Sequence, residues 1–169
     1  MRQEMDRNEG LGTIEQTDDG YVARLERYLS ADGATLWSAL TEPAKFVDWL
    51  APGEIDLVTG GKAQLNFVDS GIVIDSEVTA CEIPRLLEYS WSSPGEPNRP
   101  VRYEISDLGE ERRLILTLTL PSDEDVARSC AGWEAHLMML VASLEGVSIK
   151  FPFERFVETR EAYNKMLEP

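Results

Sequence analysis

The chain is poor in the side chains that carry most enzyme chemistry. It has one histidine, His136, and only two cysteines, Cys81 and Cys130, far apart in sequence. Two distant thiols make neither a CxxC pair nor a disulfide framework. With one imidazole, a zinc site would need carboxylates brought together by chance, so neither metal nor cofactor is expected. Basic residues are scarce too: 16 Lys and Arg stand against 31 Asp and Glu, a formal net charge of −15. Such a surface repels phosphate backbones and anionic bilayers, which argues against nucleic acid and membranes as partners. No apolar run reaches the ~18 residues of a spanning helix. The first ten residues, MRQEMDRNEG, are charged and unlike a signal peptide. A cytoplasmic protein without membrane insertion is expected.

What is present suits one domain. The chain has 169 residues, 43% of them hydrophobic, with no internal repeat. Residues 1–10 read as a flexible tail, 11–146 as the domain and 147–169 as a helical extension packed on it. Strands are expected at Thr13 to Gln16 and Tyr21 to Leu29, joined by a turn at Asp18-Asp19-Gly20. Asp32 can cap a short helix, and Thr41 a second with Pro43 in its first turn. From Glu54 to Pro121 apolar residues recur with period two, as in an antiparallel meander apolar on one face. A long helix follows, expected to start at Ser122 or Asp123. Trp133, Leu137, Leu140 and Leu144 form its apolar stripe, and Gly146 closes it. Met138, Met139 and Ala142 lie off that stripe, to be covered by a last amphipathic helix or by a dimer partner.

The segments GYVARLERYLSADGATLWSALTEPAKFVDWL, DLVTGGKAQLNF, EVTACEIPRLLEYSW and GWEAHLMMLVASLEG, in this order between about Gly12 and Gly146, carry a resemblance. The chain resembles the activator of heat-shock protein 90 ATPase homologue-like family of the START/SRPBCC superfamily, whose members include birch-pollen-allergen-like and polyketide cyclase proteins. The resemblance implies an α+β helix-grip fold: a curved antiparallel sheet wrapped around a long C-terminal helix, with two short helices after the first long strand. Here an extra C-terminal helix is added. It also implies a hydrophobic cavity between sheet and helix. The eukaryotic activator joins this domain to a separate N-terminal domain, for which this chain leaves no room, so direct chaperone activation is not expected.

The residues expected to wall that cavity are Trp49, Phe67, Tyr89, Trp91, Tyr103, Leu116, Leu118, Trp133, Leu137 and Leu140. Each alone reads equally as core packing. Together they suit a pocket for a small hydrophobic molecule, lipid-like or aromatic, with Tyr89, Tyr103, His136 or Arg27 orienting its polar end. By helical rotation His136 borders the apolar stripe, rimming a pocket or lying half solvated at the sheet edge. Arg27 shares the inward phase of Leu25 and Leu29. It either snorkels to water from the strand end, or holds an acidic ligand or a buried carboxylate. No Ser–His–Asp or Cys–His set can be argued from spacing, so catalysis is not the leading expectation. The alternatives are a protein-interaction or chaperone-linked stress module, with a homodimer among the options, and a cyclase or dehydratase with His136 as its acid–base group.

Overall fold

Alternation along the chain and the turns that interrupt it produce twelve elements among the described residues. The computed structural model describes residue 8, residues 10–92 and residues 95–169. Most of the expected tail, and two residues of the loop 92–100, lie outside the described residues. The strands are β1 (Thr13–Gln16), β2 (Gly20–Leu29), β3 (Gly53–Ile55), β4 (Lys62–Phe67), β5 (Ile72–Glu82), β6 (Leu86–Tyr89), β7 (Val101–Asp107) and β8 (Arg112–Pro121). The helices are α1 (Gly33–Thr41), α2 (Pro43–Phe46), α3 (Val126–Leu144) and α4 (Phe153–Leu167).

All eight strands form one antiparallel sheet in the order β1-β2-β8-β7-β6-β5-β4-β3. The meander is therefore complete from β3 to β8. The first hairpin then joins it through β2 against β8, with Leu25 opposite Leu116 and Arg27 opposite Leu114. The connection carrying α1 and α2 returns the chain from β2 to the far edge of the sheet. The inward residues of β2, Ala23, Leu25, Arg27 and Leu29, are all buried, as the period-two pattern requires.

Helix ends correct two sequence expectations. Asp32 does cap α1, its carboxylate accepting from the Thr35 N–H at 2.7 Å. Thr41, expected to cap α2, instead closes α1 and donates its hydroxyl to the Trp37 carbonyl at 2.8 Å. Glu42 precedes α2 without a side-chain cap. The long helix begins three to four residues later than expected, because Asp125 rather than Ser122 or Asp123 accepts from an N–H of the first turn, that of Arg128. At the other end Gly146 takes φ +80°, which lets Val147 N–H reach the Ala142 carbonyl.

Helix α3 lies over the concave face, burying Trp133, Leu137 and Leu140. Each such side chain contributes roughly 1.5–3 kcal/mol by leaving water. Its opposite flank meets α4 through the buried Tyr163 and Thr159. Met139 is half-buried, whereas Met138 remains exposed. Before β1, Asn8 pairs its side-chain amide with both backbone groups of Tyr28, at 3.0 and 2.7 Å.

Candidate functional site

Along α3, residues one turn apart place Trp133, His136, Leu137 and Leu140 on the side facing the sheet. Facing them, β6 and β7 bring Tyr89 and Tyr103 side by side, and the segment after α2 brings Trp49. These rings interlock. Tyr103 touches Trp49 and Trp133 edge-on at 6.5 and 6.3 Å, and Trp133 meets Trp91 at 4.9 Å. Phe67 bridges Trp91 and His136 at 5.8 and 6.0 Å. Trp49 is locked by its indole N–H, which donates to the Ala39 carbonyl at 2.7 Å.

Trp49, Tyr89, Tyr103, Trp133, Leu116, Leu118, Leu137 and Leu140 are buried, and Phe67, Trp91 and His136 are half-buried. The rings thus occupy much of the space expected to be hollow, and the array opens to solvent at Phe67, Trp91 and His136. Phe151 completes this rim. It contacts His136 at 5.5 Å, is 41% exposed, and stands in the loop between α3 and α4. Two open hollows lie elsewhere on the sheet. One, of about 400 Å³, is lined by Ser76, Ser90, Ser92 and Asn98 among others, and one of about 290 Å³ by Leu65 and Val73 among others. Neither is lined by any of the expected cavity residues.

Trp91 stands at φ +46°, in the left-handed region that a bulky side chain rarely adopts. Such strain persists only where neighbours over-determine it. Here Ser92 N–H donates to Ser76 Oγ at 3.1 Å, and the hydroxyls of Ser90 and Ser92 meet at 3.2 Å. The turn aims the indole at Trp133 and Phe67.

Among the described residues His136 has one hydrogen bond, from Nδ1 to the Trp49 carbonyl at 2.9 Å. A carbonyl only accepts, so Nδ1 carries the proton. Burial pushes the imidazole pKa below its ordinary 6.5, and the bond to Trp49 only partly offsets this. The folded protein therefore favours the neutral ring more than the unfolded chain does. That contribution to stability is complete above about pH 6.5 and is lost as pH falls towards the lowered folded pKa. The urea midpoint should drop between about pH 7 and about pH 5 by more in the wild type than in His136→Phe. Equal pH slopes in the two proteins would contradict this. The two tyrosines beneath share a hydroxyl–hydroxyl bond of 2.8 Å, and burial holds both phenols far above their ordinary pKa. They are hydrogen-bonding groups, not bases.

Arg27 does not join the rings. It is buried, not snorkelled, and donates to Glu134 Oε2 at 2.7 Å on the other flank of α3. Glu134 also accepts from the Tyr163 hydroxyl at 2.9 Å, and Arg155 approaches it at 3.7 Å. The Tyr163 oxygen in turn accepts from Gly12 N–H at 2.8 Å, where any Cβ would run into the Arg24 carbonyl. Burial, and then the Glu134 charge, push up the Tyr163 phenol. The same causes raise the Cys130 thiol to about 12. The sequence reading missed Glu134 and Tyr163, although an arginine in the inward phase of β2 called for a buried acid. It also missed Phe151, which no periodicity marks.

Among the described residues no helix is long and apolar enough to cross a membrane, and no three His, Cys, Asp or Glu side chains are grouped to hold a metal. A family profile described as "Activator of Hsp90 ATPase homolog 1-like protein" matches residues 30–145. No curated protein matches the sequence. Several solved structures share the fold. CalU16 from Micromonospora echinospora is 22% identical, with TM-score 0.77 over 94% of this chain and 96% of its own. The protein encoded by gene BPP1335 of Bordetella parapertussis is 27% identical, with TM-score 0.73 over 95% and 97%. The Aha1 dimer from Colwellia psychrerythraea is 16% identical, with TM-score 0.64 over 73% and 96%.

Proposed function

Because the chain belongs to the family of activator of Hsp90 ATPase homolog 1-like proteins, with the helix-grip fold of the START/SRPBCC superfamily, we propose that it binds a small apolar molecule at the ring-lined opening between α3 and the sheet. One observation carries this reading: a continuous array of rings runs from Trp49 to the half-buried Phe67, Trp91 and His136 and the exposed Phe151. Ligand sites are mostly apolar with a few placed polar groups, and this opening has the His136 imidazole and the indole N–H groups of Trp91 and Trp133 among aromatic carbon. A flat ring burying roughly 150 Å² there gains about 4 kcal/mol, enough for a weak complex before any polar contact. Trp91 is the part that yields. Leaving its left-handed conformation relieves strain and swings the indole away from Trp133, opening the path inward.

The probe is 2-methoxynaphthalene, followed by tryptophan fluorescence. Saturable binding is expected in the wild type and its loss in Trp133→Ala. A linear, unsaturated response in both would refute the reading.

A second reading rests on the outer side of the helical pair. Phe153, Val157, Met166 and Leu167 are exposed on α4, and Met138 on α3. Phe153, Val157 and Leu167 share one side of α4, which suits docking of a second copy of this chain. Sedimentation of the wild type beside Phe153→Glu reads it. Dimer in the first and monomer in the second supports it, and two identical monomers remove it.

A further inference from the structure

We propose that the molecule seated at this rim carries an aromatic hydroxyl, which donates its proton to Nε2 of His136. The proposal deepens the ligand-binding reading and rests on it.

It follows from proton accounting on the chain's single imidazole. The Trp49 carbonyl fixes the proton on Nδ1. A neutral imidazole has one donor and one acceptor, so Nε2 presents a bare lone pair. No hydrogen-bond donor of the described residues reaches it. Phe67, Trp133 and Phe151 surround the ring with centroids at 6.0, 5.9 and 5.5 Å. His136 therefore offers one acceptor, in a fixed tautomer, inside an aromatic collar that also carries the Trp91 and Trp133 indole N–H groups and is open to solvent on one side.

That inventory selects the ligand's polar end. A carboxylate brings no proton; it would set its charge against the lone pair, within a protein of net charge −15. An ammonium brings three protons where one acceptor waits, so cation–π contact with the rings has to offset the water lost by the other two N–H groups. A phenolic hydroxyl brings one proton to one acceptor, buries no charge, and keeps its oxygen free for water at the open side. The ring that carries it meets side chains already packed edge-on, at interplanar angles of 58 to 66° around the imidazole.

The test compares four probes by calorimetry: 2-naphthol, 2-methoxynaphthalene, 2-naphthoate and 2-naphthylmethylammonium. The expected result is 2-naphthol about tenfold tighter than the methyl ether, which is ~1.4 kcal/mol. The carboxylate and the ammonium should both bind more weakly than 2-naphthol. In His136→Phe the two neutral probes should become equal in affinity. The chain's only histidine also gives a reading in the wild type alone. With 15N-histidine, 2-naphthol should shift the Nε2 resonance while Nδ1 keeps its proton, whatever the stability of the variant. Equal wild-type affinities for naphthol and its ether overturn the hydroxyl inference and leave the ligand site standing. Tighter binding of the carboxylate or the ammonium overturns it too. Failure of all four probes to bind overturns both readings.

Discussion

Glu134→Ala is expected to destabilise the fold by about 3–5 kcal/mol, read from urea unfolding at neutral pH. The carboxylate is fully buried and serves three groups at once: Arg27 at 2.7 Å, the Tyr163 hydroxyl at 2.9 Å and Arg155 at 3.7 Å. Removing it leaves the Arg27 guanidinium, only 4% exposed, with its bond to the Glu26 carbonyl at 2.8 Å and, among the described residues, no charge partner. An uncompensated buried cation is among the few single-site defects of that size. The pair itself adds little over an apolar substitute, since both charges were stripped of water to form it. Glu134→Leu combined with Arg27→Met should therefore recover most of the lost stability. A single variant within about 1 kcal/mol of wild type would mean that water reaches Arg27 and that the network does not hold α4 down.

Trp133→Ala should cost about as much, roughly 3–5 kcal/mol, for a different reason. The indole is nearly buried and sits where the helix meets the sheet, touching Trp91 at 4.9 Å, His136 at 5.9 Å and Tyr103 at 6.3 Å. Truncation opens a cavity that the surrounding rings fill only in part. It also removes the wall on which a ligand would lie. Trp133→Leu should restore part of the stability and little of the probe binding, since it replaces hydrocarbon but not the aromatic face. A Leu variant that binds 2-methoxynaphthalene as well as wild type would show that the seat lies elsewhere.

The two faces of α3 thus do different work, and the sequence reveals them unequally. The ring face was legible because it follows period: Trp133, Leu137, Leu140 and Leu144 recur at helical spacing, and Tyr103, Leu116 and Leu118 at strand spacing. Their burial, complete except at the half-buried Leu144, follows from that pattern alone. The polar face was not, because its partners come from four separate places in the chain. Arg27 of β2 finds Glu134 across 107 positions, and Gly12 finds Tyr163 across 151. Phase marked Arg27 as inward but could not say that the acid opposite it stood on α3, one residue from Trp133. The docking of β2 against β8 was hidden for the same reason, since pairing partners leave no local signature. At the start of α3 the run Ser122-Asp123-Glu124-Asp125 offers several capping side chains. The choice is made by a turn from Pro121 to Glu124 that spacing does not reveal. Phe151 sits in a loop, where hydrophobicity carries no periodicity to read.

The central claim is that the ring-lined rim around His136 is where a ligand lies. The chain has four tryptophans. Trp91 and Trp133 lie at the rim and Trp49 behind it, whereas Trp37 of α1 joins none of the ring contacts. Four indole N–H signals in a nitrogen-edited NMR titration with 2-methoxynaphthalene therefore report the place of binding directly. The account predicts saturable shifts of Trp91 and Trp133, a smaller one of Trp49, and a stationary Trp37. Saturable binding that leaves Trp91 and Trp133 in place would contradict it.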